Sequence, residues 1–448
     1  MTTTPLWLAN RPVLTGNPMP LNDVWSGETI AAVAQAGPDE IEHAIAAAHA
    51  ARPAMAALPV WRRREVLEHL LARVRENAAS LARTITAESG KPLAAARAEV
   101  ARAQATLHEA AAETGRFDGE VLDLDRDESS RGWRGFTRRV PAGVASLVTP
   151  FNFPLNLVMH KLAPALGAGC PVLLKPAPAT PLSALALGEW LSECDLPAGA
   201  FSILPCGNDD AAPLIEDDRI AVLSFTGGLV GWALKARAGK KRVVLELGGN
   251  AACIVDADPG ASLDHVAARI VAGAFGQAGQ SCISVQRLIV HRDHLPALRE
   301  RLIAAVRALP CGDPHNKLTV VGPMISAAAA ARLDASIGSA IAAGATVHVR
   351  GTRSEARPSF LGPTLLENTP RDHPLYREEA FGPVLLLESA DDFEDAIERA
   401  NDSRFGLQCG VFTGSRANAM RAWDALEVGG VVIGDVPTVR VDRMPYGG

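Results

Sequence analysis

The chain contains no CxxC pair, and its seven cysteines, at 170, 194, 206, 253, 282, 311 and 409, are scattered and odd in number. That argues against a disulfide framework and against a structural zinc site, so no metal is expected and a reducing, cytoplasmic setting is. No apolar run approaches the ~20 residues needed to span a bilayer, and Lys161 and Lys175 interrupt the most apolar part. The opening Met-Thr-Thr-Thr-Pro-Leu-Trp lacks the basic and apolar regions of a secretory signal. The formal net charge is −6, without a basic stripe, so neither nucleic acid nor a membrane is an expected partner. There is no internal repeat, low-complexity tract or GxGxxG fingerprint.

What is present is an ordinary soluble balance, 48% hydrophobic and 21% charged, over 448 residues. That length exceeds one compact core and implies two or three lobes. Residues 1–37 alternate Pro, Gly and short apolar runs, which predicts short strands and turns. Helices are predicted over 38–51, 59–77, 79–89 and 92–114. Residues 117–140 pass from acidic to arginine-rich, and their alternation predicts an exposed two-stranded hairpin suited to a subunit contact. From Val140 onward, apolar strands alternate with helices: strands at 140–148, 171–175, 201–204, 221–224 and 243–245, with helices at 157–166, 182–193 and 209–215 between them. This alternation predicts a parallel sheet, and such sheets bind ligands beyond the carboxyl ends of their strands. Further helices are predicted over 262–275, 295–309, 326–343, 391–400 and 415–426, with strands at 285–291, 409–412 and 429–433.

Five places carry the signs of chemistry. Gly276-Gln277-Ala278-Gly279-Gln280-Ser281-Cys282-Ile283-Ser284 sets one thiol among glycines and neutral amides, where a thiolate nucleophile could be exposed. Thr149-Pro150-Phe151-Asn152 follows a buried strand and offers a neutral amide suited to an oxyanion, although a lone turn asparagine reads more simply as structural. Glu246 ends an apolar strand beside Gly248 and Gly249; such a carboxylate is costly unless used or paired, and burial would raise its pKa towards general-base values. It could equally be a capped structural glutamate. Lys175 and Phe225-Thr226-Gly227-Gly228-Leu229-Val230-Gly231 end two other strands, and glycines before a helix can accept a pyrophosphate.

Taken together, TPFNFPLN, KPAPATP, FTGG, LELGGN, GQAGQSC, EEAFGPV and MPYGG resemble the NAD(P)-dependent aldehyde dehydrogenase superfamily, in that family's order and over almost the whole chain. The resemblance implies an α/β fold of two Rossmann-like parallel-sheet lobes plus an oligomerisation hairpin. Residues 1–119 and 142–247 would form the nucleotide-binding domain, 120–141 the hairpin and 248–448 the catalytic domain. It implies Cys282 as nucleophile, Asn152 with the Cys282 backbone N–H as oxyanion donors, Glu246 as the base for hydrolysis, and Lys161 near the active site. The cofactor, NAD or NADP, would meet Thr149, Pro150, Lys175, Pro178, Thr226, Gly227, Gly228, Gly231, Leu247, Gly248, Glu379 and Phe381. Lys175 would bond the adenosine ribose and Glu379 the nicotinamide ribose.

This sequence also departs from the pattern. Pro178 stands where NAD-preferring members carry a glutamate that disfavours a 2′-phosphate, so NADP is admitted. Gly228 replaces the usual serine. His160 replaces a tryptophan beside the substrate tunnel and, with Ser281 and Ile283 flanking the cysteine, implies a smaller or more polar substrate. Arg102 matches an arginine used on anionic aldehydes, whereas Ser281 stands where phosphate-binding members often have arginine; Arg102 could equally be an interdomain ion pair. The branch most resembled includes lactaldehyde, non-phosphorylating glyceraldehyde-phosphate and phosphonoacetaldehyde dehydrogenases. The expected activity is oxidation of a small polar or anionic aldehyde to its acid. The alternatives are a coenzyme-A-acylating relative, against which Glu246 speaks, and a relative that has lost catalysis. Because members usually continue beyond Gly448, the C-terminal tail is expected to be truncated, and a homodimer or homotetramer is expected where that tail is present.

Overall fold

The computed structural model describes residues 3–447; Met1, Thr2 and Gly448, the last glycine of the Met444–Gly448 motif, lie outside the described residues. Two seven-stranded sheets dominate the fold. The first runs, in spatial order, Arg242–Glu246, Ile220–Thr226, Val144–Val148, Val172–Lys175, Phe201–Ile203, Leu6–Leu8 and Arg11–Val13. Its first five strands are parallel, and the two N-terminal strands add an antiparallel edge. Val172–Lys175 is buried along its whole length, as expected of a strand with helices on both faces.

Register explains why the motifs converge. Val148 pairs with both Lys175 and Phe225, and Thr226 pairs with Glu246. Lys175, Thr226, Glu246 and the turn beginning at Thr149 therefore leave the sheet along one edge. The second sheet runs Thr346–Val349, Thr364–Glu367, Val384–Ala390, Arg287–His291, Ala252–Val255, Gln408–Phe412 and Gly430–Ile433, parallel except for the first strand. The Cys282 loop lies between helix Leu263–Phe275 and strand Arg287–His291.

Two expectations need correction. The first helix does not stop at Ala51 but runs Pro38–Ala57 through Pro53. Arg52-Pro53 reads locally as a stop, but Met55 beyond it is fully buried, and that packing holds the extra turn. Ala252–Val255 was not anticipated as a strand, yet it occupies an interior position of the second sheet. Four apolar residues are too few to show a period; their neighbours on both sides decide their conformation. The 117–140 segment pairs Val121–Asp123 with Arg134–Phe136 antiparallel and leaves Val121, Trp133 and Phe136 exposed. Among the described residues no helix is long and apolar enough to cross a membrane.

Candidate active site

The turn carrying Asn152 is built from below by a buried ion pair. Glu99, on helix Leu93–Thr114, accepts hydrogen bonds from the backbone N–H groups of Leu155 (2.9 Å) and Asn156 (3.1 Å), the start of helix Asn156–Gly167. Its other oxygen pairs with Lys91, whose ammonium sits 3.9 Å from the centre of the Phe153 ring. Lys91 and Glu99 are both almost wholly removed from solvent. Glu99→Ala would leave a buried ammonium unpaired and two helix-start N–H groups unmet. The expected loss is about 3–5 kcal/mol of stability, read from chemical denaturation; an unchanged midpoint would refute this account of the turn.

The Cys282 loop is tied to that turn by amides. Gln277 Nε2 donates to the backbone oxygen of Asn152 (2.6 Å), and Asn152 Nδ2 donates to the backbone oxygen of Gln280 (3.2 Å). Gln280 accepts from the Ile325 N–H at 2.9 Å. Gln277 and Ala278 are held in the left-handed region, at φ 56° and 53°, which for non-glycine residues costs of order 1 kcal/mol each. On the far side, a Cβ on Gly249 would lie 2.3 Å from the Cys282 carbonyl oxygen, so the strand-end glycines let Glu246 approach the cysteine loop closely.

Cys282 opens into a cavity of about 380 Å³. Glu246, Arg102, His160, Ser281, Ile283 and Arg440 are among the residues that line it. Burial pushes the Cys282 thiol well above its ordinary range, and the nearby Glu246 carboxylate pushes it further. Burial also raises Glu246, against the opposing pull of Cys282, Lys161 and Arg440. Glu246 Oε1 and Asn152 Oδ1 are buried without a hydrogen-bond partner, and both can accept one from a bound molecule. Lys161 does not reach the cavity wall: its Nζ donates to Ser224 Oγ at 2.9 Å. Burial pulls that ammonium down to about 8, with Glu246 opposing the shift.

Several residues at this site escaped the reading of the sequence. Tyr446 places its hydroxyl 3.1 Å from Cys282 Sγ, and the Arg440 guanidinium stacks 3.8 Å from the centre of that ring. Asp442 Oδ1 accepts from Arg102 Nη2 at 3.0 Å and lies 3.1 Å from His160 Nε2. No local signal marks Arg440 or Asp442, which stand beyond the last strand in an irregular stretch.

Glu246 also borders a second cleft, of about 410 Å³, with Leu229, Trp232, Leu245, Leu247 and Gly248. This cleft lies along the strand-end edge described above. Gly227 N–H bonds the Glu246 carbonyl at 3.0 Å, and Gly231 N–H bonds that of Gly228 at 3.1 Å. A Cβ on Gly228 would meet nothing within 4 Å, whereas one on Gly248 would lie 2.3 Å from the Glu379 carboxylate. Glu379 accepts from the Gly249 N–H at 2.9 Å, and burial raises it to about 7. Phe381 packs edge-on against Phe151, ring centres 5.8 Å apart. Lys175 donates to Asn208 Oδ1 at 3.1 Å, the Thr149 N–H bonds the Lys175 carbonyl at 3.2 Å, and Pro150 and Pro178 flank the same edge. The cleft walled by Leu229, the exposed Trp232 and Gly248, with the Gly228 turn, the Lys175 ammonium and the Glu379 carboxylate at neighbouring strand ends and turns, suits a dinucleotide.

The chain belongs to the aldehyde dehydrogenase family, whose model matches residues 15–448. It is therefore an oxidoreductase acting on aldehydes with NAD or NADP. Among solved structures it is similar to aldehyde dehydrogenase 21 from Physcomitrella patens in complex with the reaction product succinate: TM-score 0.97, 44% identity, covering 100% of this chain and 93% of that one. It is also similar to the glyceraldehyde-3-phosphate dehydrogenase GapN of Methanocaldococcus jannaschii complexed with NADP: TM-score 0.91, 31% identity, covering 97% and 94%. A 3-sulfolactaldehyde dehydrogenase of Priestia aryabhattai is 38% identical over 440 residues, 97% of this chain and 90% of that protein.

Proposed function

We propose that Cys282 is the nucleophile for oxidation of a short aldehyde bearing an anionic group at its other end. The observation that carries this reading is one cavity shared by the Cys282 thiol, the Glu246 carboxylate and the guanidinium groups of Arg102 and Arg440. Only a phenol ring separates Arg440 from the sulfur, so the reacting carbon and the anionic end are a few bonds apart. The succinate of the Physcomitrella patens structure and the sulfolactaldehyde in the name of the Priestia enzyme have that shape.

The sulfur attacks the carbonyl carbon while the thiol proton leaves to water in the cavity. The remaining N–H of the Asn152 amide and the backbone N–H of Cys282 stabilise the oxyanion. NAD or NADP, when bound, takes up the hydride. The product on the protein is a thioester of Cys282, and Glu246 removes a proton from the water that cleaves it to acid and free thiol. Lys161 acts from behind, balancing the charge of Glu246. Lys175 and Glu379 hold the two riboses, with Thr149, Pro150, Thr226, Gly227, Gly228, Gly231, Leu247, Gly248 and Phe381 shaping the cleft between them. No carboxylate stands beside Lys175 at Pro178, which leaves room for a 2′-phosphate. Residues 1–119 and 142–247 then act as the nucleotide-binding domain and 248–448 as the catalytic domain. The hairpin at 120–141 meets a second copy through its exposed Val121, Trp133 and Phe136.

The test is a panel of short neutral and anionic aldehydes assayed with both cofactors, for the wild type and for Arg440→Gln. A charge-assisted contact is worth about 1.5–3 kcal/mol, so KM for the anionic aldehydes is expected to rise roughly tenfold to hundredfold in the variant, with a much smaller change for neutral ones. Equal KM values for both classes in the wild type would overturn the anionic part of the reading.

A further inference from the structure

Both arginines of the cavity have donors with nowhere to go. Arg440 Nε and Nη1 and Arg102 Nε are buried without a partner. The acidic side chain that meets these cations is Asp442, nearly buried itself. One oxygen of Asp442 serves both Arg102 and His160, at 3.0 and 3.1 Å, and Arg440 Nε stays 3.8 Å from it, beyond hydrogen-bond range. Of the other carboxylates near the cavity, Glu99 is paired with Lys91, and Glu246 feels the charges of both Lys161 and Arg440 without an ion-pair contact to either. Asp442 itself does not face the open space; it stands behind the cations.

This arrangement fixes a charge count. Burial favours the neutral form of His160. Burial would raise Asp442, but the hydrogen bonds from His160 and Arg102 outweigh that and bring it down to about 2, so it is anionic. Arg102, Arg440 and Lys161 set against Asp442 and Glu246 leave a net charge of one.

We propose that Asp442 is a specificity-determining residue. By holding Arg102 and His160 on one oxygen, it leaves that end of the cavity with a single uncompensated guanidinium, Arg440. The site is thereby matched to aldehydes ending in a monoanion, a carboxylate or sulfonate, and set against those ending in a dianionic phosphate monoester. A second negative charge on the substrate would meet only Arg102, whose charge Asp442 already offsets, and Asp442 would repel it. This inference rests on the anionic reading of the cavity proposed above and goes beyond it in naming the charge.

The experiment compares kcat/KM for three aldehydes at saturating cofactor: propanal, the four-carbon aldehyde with a terminal carboxylate, and glyceraldehyde 3-phosphate. Wild type is expected to favour the carboxylate over the phosphate. Asp442→Asn keeps an oxygen acceptor and removes the charge, so the phosphate-to-carboxylate ratio of kcat/KM is expected to rise about tenfold. Asp442→Glu, which keeps the charge, should hold the ratio near that of wild type. An equal fall for all three aldehydes in Asp442→Asn, or a wild-type preference for the phosphate, overturns the proposal. Should Asp442→Asn fail to fold, wild type alone decides: succinate should raise its melting temperature more than 3-phosphoglycerate at equal concentration, and the reverse order overturns the charge match. Absence of any preference for the two anionic aldehydes over propanal in wild type would instead defeat the anionic reading on which the inference stands.

Discussion

Cys282→Ala is expected to lower aldehyde oxidation by about four orders of magnitude or more, because removing a nucleophile removes the covalent route and leaves only binding. Binding of NAD or NADP should survive. The residues proposed to shape the cofactor cleft lie at strand ends of the first sheet, on the turn and helix start that follow Thr226, and on the turns around Gly248 and Glu379, and none of them bonds the sulfur. Steady-state production of reduced cofactor measures the first quantity, and quenching of tryptophan fluorescence on titration with cofactor measures the second. A variant turning over near the wild-type rate would sink the mechanism. One that has lost cofactor affinity as well would show that the loop at 276–284 also supports the cleft. The raised thiol adds a check on the wild type: without cofactor, alkylation of Cys282 at neutral pH should be slower than that of free cysteine, and should accelerate with rising pH.

Glu246→Gln is expected to separate the two halves of the reaction. Loss of a general base costs about 10²–10⁴ in rate, and here the cost should fall on hydrolysis of the thioester. Rapid mixing should still show a first-turnover burst of reduced cofactor, followed by a steady state slowed by that factor. An unchanged steady-state rate would remove Glu246 from the mechanism; a lost burst would move its role to the first step. The pH dependence of wild type carries the same information. Glu246 must be ionised to act, and burial raises its pKa. The steady-state rate should therefore increase with pH through a limb lying above the ordinary carboxylate range, and an acid limb at an unshifted carboxylate value would contradict the buried base.

The candidate sites that were legible in the sequence share one property: each sits at the end of a strand or on a turn or loop next to one in the chain. Glu246, Lys175, Thr226 and Thr149 could be read from apolar runs that stop, and Cys282 from glycines and amides that no core segment would carry. Even there, the sequence left Asn152 open between turn and oxyanion donor. What it could not reveal is that Gln277 and Gln280 clamp the Asn152 turn to the cysteine loop, since those bonds span two lobes. The buried pair of Lys91 and Glu99 gave no signal either, as a lysine on the turn before a helix and a glutamate in its second turn look like ordinary solvated charges.

The amino-acid order alone determined the alternation of strands and helices, the parallel sheets and the edge at which the reactive side chains emerge, because dihedral preference and hydrophobic period act over a few neighbouring residues. Tertiary structure decided the rest. It held the first helix together past Pro53, made an interior strand of Ala252–Val255, and carried Asp442 to Arg102 and His160 across 340 and 282 residues of chain. It also brought Tyr446 to Cys282 across 164. Contacts at that separation have no local correlate, because they exist only once both sheets have packed and the remaining polar groups must find partners away from water.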